Sequence, residues 1–275
     1  MKIFNFLIHI CLKNIVNIIF YKRHTLYYKL IQIFSFGNLI YTFDGLKVHK
    51  VKKSPEEDIT YRYTVAGLYM GEFQQKLLKI KKDFIFLDIG SNIGYFSLVA
   101  CKNEKSYKIF SIEPNPKVKK YLDKNLYYNF PKNKYKTYNF AISKRVGSLN
   151  FYINNFDSGS SSLIKKNKNE KTIKIKSNNY KLFNEIAKKY PKKNVVVKID
   201  VEGKDLEVLK EIKKSKLFQN IVYIYIETKN NQKDISNIKK NLKNFYLKKK
   251  YLIIKNLQST KQLDLEFIKK NEHIF

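Results

Sequence analysis

The run Leu87-Asp88-Ile89-Gly90-Ser91-Asn92-Ile93-Gly94-Tyr95-Phe96 constrains this chain more than any other stretch of it. Phe84–Asp88 is a short apolar run closed by a glycine, as a strand buried on both faces of a parallel sheet would be. Asn92–Lys102 reads as the following helix, so the two glycines lie in a strand-to-helix turn. Glycine suits that turn because it lacks the Cβ that would block a tight backbone path or a closely approaching ligand. A second strand, Tyr107–Ile112, ends at Glu113-Pro114-Asn115-Pro116. The prolines remove backbone donors and stop the strand, which leaves Glu113 at the carboxyl edge of a sheet, 23 residues after Gly90.

A glycine turn followed by a strand-end acid is how α/β sheets hold a nucleoside-containing cofactor, the acid accepting both ribose hydroxyls. A nicotinamide site would carry Gly-x-Gly-x-x-Gly, its middle glycine making room for a pyrophosphate. Asn92 stands at that place and Asp88 lies two residues before Gly90. Together they favour S-adenosylmethionine, which has no pyrophosphate. Asp88 is expected to hold the loop through its N–H groups or to accept from the cofactor's ammonium, and Asn92 to offer both donor and acceptor. A purely structural turn with a solvated acid at the strand end is the alternative, and the two features in register weigh against it.

The alternation continues beyond this unit. Pro116–Asn129 reads as a helix with Val118, Leu122 and Leu126 on one side, and Tyr135–Ile142 as a third strand. Gly147–Ile153 and Thr172–Lys176 are further strand candidates, with the serine-rich stretch of Asp157–Lys171 as an exposed loop between them. Tyr180–Lys189 and Asp205–Lys213 read as helices around a buried strand Val195–Ile199; Ile221–Ile226, a helix from Asp234 to Leu242 and a last strand near Tyr251–Ile254 follow. Such alternation predicts an α/β sheet with right-handed crossovers and a ligand crevice at the carboxyl ends of its strands. Ahead of it, residues 39–65 read as short strands with Asp44-Gly45 as a hairpin turn, Ser54-Pro55 opens a loop or short helix, and Glu72–Lys81 is a helix. The expected division is an extension over residues 1–65 and a catalytic domain over 66–275.

Hydrophobic residues make up 44% of the 275, enough for a core and too many for a wholly disordered protein. The net charge of +32 invites nucleic acid. The basic residues, however, are mostly lysine, spread along the chain, with few arginines for bidentate phosphate contacts. A lysine-rich solvated surface is therefore favoured, and an anionic membrane or an acidic glycan fits as well as nucleic acid does. Cys11 and Cys101 form no pattern, which points to a reducing cytoplasm. None of the four histidines sits in a metal-ligand spacing, so no metal is expected from them.

Residues 1–36 read as helical. Phe4, Leu7, Ile8, Cys11, Ile15, Ile18 and Ile19 fall at helical spacing. The expectation is that this face packs on the domain. Peripheral contact with the inner face of the cell membrane through residues 3–20, flanked by Lys22 and Arg23, is the alternative, and a spanning helix a third.

The second constellation is Lys198-Ile199-Asp200-Val201-Glu202-Gly203, where a buried strand reaches the crevice and turns into an amphipathic helix. Asp200 and Glu202 beside a methyl donor could orient or deprotonate a hydroxyl. Equally, Glu202 could cap the helix and Asp200 order the loop, and a divalent metal on the pair is a third possibility for which no further ligand is evident.

In this order and spacing, Asp-x-Gly-x-Asn-x-Gly-Tyr-Phe-Ser, Glu-Pro-Asn-Pro, Ser161-Ser162-Leu163 and Lys-Ile-Asp-Val-Glu-Gly resemble the FkbM family of S-adenosylmethionine-dependent methyltransferases, from about Gly67 to Glu227. The resemblance implies a class I methyltransferase fold, a Rossmann-like seven-stranded sheet whose last strand is antiparallel. It implies methylation of a hydroxyl, usually on a sugar or a polyketide-type product, and so a sugar, glycan or nucleotide-sugar acceptor. It assigns cofactor contacts to Glu72, Asp88, Gly90, Asn92, Gly94 and Glu113, and the second motif to Asp200, Glu202 and Gly203. The chain departs from the family at Asn178-Asn179-Tyr180, where a Leu-Asp pair is common. An RNA methyltransferase and a non-catalytic membrane-associated protein of the same fold are the rival readings; against the first, this sequence has no Pro-Pro, which the Pro-Pro-aromatic motif of amino-directed nucleic-acid enzymes requires.

Overall fold

The computed structural model describes residues 2–18, 23–51, 58–68, 71–168, 170–253 and 262–275. Helices α1 (Lys2–Ile18) and α2 (Arg23–Phe34) lead into a hairpin of β1 (Leu39–Tyr41) and β2 (Lys47–His49), turning at Asp44-Gly45 as expected. Helices α3 (Ile59–Ala66) and α4 (Glu72–Lys79) follow. The chain then alternates through β3 (Phe84–Ile89), α5 (Tyr95–Lys102), β4 (Ser106–Ile112), α6 (Pro116–Asn129) and β5 (Tyr135–Tyr138). An excursion of β6 (Ala141–Ile142), β7 (Gly147–Ile153) and β8 (Lys171–Asn178) forms a separate three-stranded sheet. The alternation resumes with α7 (Tyr180–Lys189), β9 (Asn194–Ile199), α8 (Asp205–Lys213), β10 (Ile221–Lys229), α9 (Gln232–Asn241), β11 (Phe245–Ile253) and β12 (Gln262–Lys269).

The main sheet runs β5-β4-β3-β9-β10-β12-β11. Strands β5, β4, β3, β9 and β10 are parallel, and β12 inserts antiparallel between β10 and β11. This is the class I methyltransferase arrangement, including the antiparallel final strand. The chain builds outward from β3 in one direction, then returns to lay β9 on its other side. That reversal opens a crevice between β3 and β9, where such sheets bind ligands.

The central strands read as continuous apolar runs because both faces are covered. Phe84 and Phe86 point into one core with Leu98, Leu122 and Val196, while Ile85, Leu87 and Ile89 point into the other with Phe183, Val197 and Leu209. Helix α6 spans the expected residues, with Val118, Leu122 and Leu126 facing inward; Asn115 caps the Lys117 N–H and Pro116 takes the first turn.

Four expectations are corrected. Residues 59–66 form a helix, although their β-branched and aromatic residues favour strand. Asp58 accepts the Tyr61 N–H at one end, Gly67 closes the other in the left-handed region, and Tyr61 and Val65 are buried together. The expected third strand is two, because the chain leaves the main sheet at Asn139, whose Nδ2 donates to the Glu113 and Pro114 carbonyls. A further strand, β12, pairs with β10 and β11 where no strand was read. Finally, α1 packs on the body, but not through the expected face. Asn5, His9, Leu12 and Val16 are buried, whereas Phe4, Leu7, Cys11 and Ile15 face outward. Backbone groups that need partners decide this: Asn5 Nδ2 donates to the Phe36 and Leu39 carbonyls, and His9 Nδ1 meets the Tyr27 hydroxyl, which donates to the Tyr41 carbonyl. The Ile18 side chain, Ile19, Lys22, Ser54-Pro55 and Ile254 lie outside the described residues. Among the described residues no helix is long and apolar enough to cross a membrane.

Candidate active site

At the carboxyl ends of β3, β4, β9 and β10 lies a cavity of about 710 Å³. Its floor is the β3–α5 loop. Gly90 (φ +80°) turns that loop, and a Cβ on it would stand 1.8 Å from the Asp200 carbonyl oxygen. Gly94 (φ +92°) would put a Cβ 2.5 Å from Leu122 Cδ1. Both glycines are thus required by the chain's own packing, one by the switch-point crossing and one by the seat of α5 on α6.

Asn92 adopts a left-handed backbone (φ +48°) and its N–H donates to Glu113 Oε2 at 2.9 Å. Glu113 Oε1 accepts the Asn115 N–H at 2.8 Å. The Glu113 carboxyl lines the cavity while remaining buried, and burial pushes its pKa up to about 7 against the two N–H bonds. Glu72, the first residue of α4, also lines the cavity, with Lys76 3.6 Å away.

Asp88 does not hold the loop N–H groups, one of the two roles expected of it. Its side chain is 1% exposed and faces α5, where Oδ2 accepts the Ser97 hydroxyl at 2.5 Å and Oδ1 lies 3.7 Å from Lys198 Nζ. The loop N–H groups go elsewhere, those of Gly90 and Ser91 to the Ile112 carbonyl and that of Asn92 to Glu113. Lys198 is the group the motif contained without a role. Only 3% exposed, it reaches Asp200 Oδ2 at 3.0 Å and the Gly90 carbonyl at 3.3 Å, over the Phe96 ring. Burial disfavours its charge, but Asp200 and Asp88 outweigh that and raise its pKa.

Asp200 and Glu202 both line the cavity. Glu202 is held in the left-handed region (φ +56°) and its Oε2 lies 2.9 Å from Lys166 Nζ of the excursion loop. The loop-ordering work considered for this pair belongs to Asp205, which accepts the Val201 and Gly203 N–H groups and whose pKa burial pushes up to about 7, while the start of α8 at Lys204 has no side-chain cap. Glu227, at the end of β10, brings a third carboxylate, the further ligand that the sequence did not reveal. Ligand atoms of Asp200, Glu202 and Glu227 lie within 4.8 Å of one another. In donor type and number they suit a hard divalent cation, yet two of them already meet lysines. Tyr225, two residues earlier on the same strand face, donates to Asp264 of β12 and stacks on Phe73 at 4.1 Å. Strand alternation from Glu227 was the available signal for Tyr225; Asp264 had none.

The excursion closes the cavity from above. Ser158 Oγ bridges Asn92 and Asp58, Asp157 Oδ1 accepts the Thr60 hydroxyl at 2.7 Å, and Ser161 and Leu163 line the wall.

Residues 33–272 match the family described as Vibrio cholerae RfbT protein. No curated protein matches the sequence significantly. Among solved structures, similar ones include Pyrococcus horikoshii TYW2 in complex with MeSAdo, at 13% identity over 86% of this chain and 73% of that one, with a TM-score of 0.47. The Methanocaldococcus jannaschii tRNA m1G37 methyltransferase shares 16% identity over 86% of this chain, which spans only 59% of it, with a TM-score of 0.45. M. capricolum TrmK in complex with S-adenosyl-homocysteine shares 14% identity over 73% of this chain and 69% of that one, with a TM-score of 0.41. All three scores fall below one half, so the fold assignment stands on the strand order itself.

Proposed function

The chain belongs to the family of the Vibrio cholerae RfbT protein, and from that premise we propose that it is an S-adenosylmethionine-dependent methyltransferase acting on a hydroxyl of a sugar or glycan. Glu113 carries the reading. Each of its oxygens accepts one backbone N–H and keeps a further lone pair, so the carboxylate can take both hydroxyls of a ribose at the crevice edge. The cavity has the size of a cofactor site, and Glu72, Gly90, Asn92 and Glu113 line it. Asp88 and Gly94 support it from behind. When bound, S-adenosylmethionine supplies a methyl group on a sulfonium, an already activated carbon. What remains for this chain is to align an acceptor oxygen in line with that methyl, positioning worth about 7–11 kcal/mol.

Asp200 and Glu202 orient the acceptor hydroxyl and one of them receives its proton, a contribution of roughly 10²- to 10⁴-fold. The hydroxyl as target, the sugar acceptor and a place in polysaccharide biosynthesis rest on the resemblance of the four motifs to the FkbM family. The net charge of +32 makes RNA the second candidate acceptor.

Calorimetric titration with S-adenosylmethionine, in parallel on wild type and Glu113→Ala, tests the cofactor; glycan and RNA acceptors are then compared for methyl transfer. Binding lost in the variant is the expected result. A folded wild type that ignores S-adenosylmethionine would overturn the reading, and transfer to RNA alone would overturn the sugar assignment.

A further inference from the structure

We propose that the outward face of α1, continued by the end of α2, docks on an anionic lipid surface and lies along it. Helix α1 is inverted relative to an ordinary surface helix. Two polar residues, Asn5 and His9, are buried among its inward residues, while Ile3, Phe4, Leu7, Ile10 and Ile15 are exposed, Ile3 at 77%. Phe4 meets Phe36 at 5.4 Å between ring centroids, which joins this face to exposed Ile33 and Phe34 at the end of α2. A contiguous apolar surface of this kind marks an interaction site rather than scattered exposure.

Charge selects the occupant. The first acidic residue of the chain is Asp44, whereas Lys2, Lys13, Lys22, Arg23 and Lys29 precede it. An apolar face set in an acid-free, lysine-bearing segment is complementary to anionic lipid headgroups. A spanning orientation is excluded by the anchoring of the inner face, since Asn5 would have to release the Phe36 and Leu39 carbonyls. Helix α2 packs on α3, and α3 supplies Ile59, Thr60, Arg62 and Tyr63 to the cavity rim. Docking would therefore bring the active-site entrance close to the lipid surface.

The test is co-sedimentation of the full chain with phosphatidylglycerol-containing vesicles and with pure phosphatidylcholine vesicles. The comparison variant is Leu7→Glu/Ile10→Glu, both positions facing outward, with thermal unfolding to confirm that it folds. Wild type is expected to pellet with the anionic vesicles, less at high salt, and the variant to partition at least about tenfold more weakly, which corresponds to about 1.4 kcal/mol. Three results would overturn the proposal: wild type remaining in the supernatant with both vesicle types, a folded variant that binds as wild type does, or a wild-type dimer that the variant converts to monomer, which would give the face to a second copy.

Discussion

Replacing Lys198 by Met tests whether this buried cation ties the site together. Its ammonium sits 3.7 Å from Asp88 Oδ1 and 3.0 Å from Asp200 Oδ2. Asp200, with its side chain 29% exposed, can recover water when the charge is removed. Asp88 cannot, and is left with the Ser97 hydroxyl as its described hydrogen bond. Methionine nearly conserves the volume, so the cost is electrostatic, and stranding one partner of a buried pair costs about 3–5 kcal/mol. That is a large share of the roughly 5–15 kcal/mol by which a domain is stable.

The pH dependence has a definite sign. Burial already holds the Asp88 pKa above its usual value, and losing Lys198 removes the main opposing influence. The folded variant therefore binds a proton that the unfolded chain releases, and stability falls as pH rises between the two pKa values. The deficit relative to wild type should therefore shrink as the pH is lowered. Urea unfolding at several pH values reads this directly, and Asp88→Asn added to Lys198→Met should restore most of the loss at neutral pH. A deficit below about 1 kcal/mol there, or no rescue by Asp88→Asn, would refute the reasoning.

Gly90→Ala should lose more than about 4 kcal/mol or fail to fold, because its Cβ meets the Asp200 carbonyl; Gly147→Ala, with nothing within 4 Å, should lose only the roughly 1–3 kcal/mol of its positive φ. Chemical denaturation of the two variants side by side checks the contrast. With Glu113 titrating at about 7, affinity for S-adenosylmethionine should fall about tenfold between pH 8 and pH 6, as the acceptor carboxylate is protonated. Calorimetry across that range would show it, and a flat profile would remove Glu113 from the cofactor site. Ser158→Ala removes the bridge between Asn92 and Asp58. It should raise the acceptor KM more than it lowers kcat if the excursion shapes the acceptor site; unchanged steady-state constants would deny it that role.

How much was legible follows the range of the forces involved. The glycine turn, the strand-end Glu113 and the helices α6, α7 and α8 declare themselves because backbone conformation is decided within a few residues. The resemblance to a methyltransferase supplied the antiparallel strand in principle, but not the position of β12, since a strand inserted between β10 and β11 is defined by neighbours distant in sequence.

By itself, then, the sequence determined the α/β alternation, the crevice loop and the two motifs that meet there, all written in local spacing. Only the tertiary structure decided which side chains face the crevice. Asp88 withdrew behind the loop because Ser97 and Lys198 converge on it from α5 and β9. Glu227, Tyr225 and Asp264 joined the site because β10 and β12 pair there. Helix α1 turned its polar residues inward because the carbonyls at Phe36 and Leu39, the latter buried, required donors. A buried polar group is stabilised only by the partner that reaches it in space, and that partner lies outside any window of sequence.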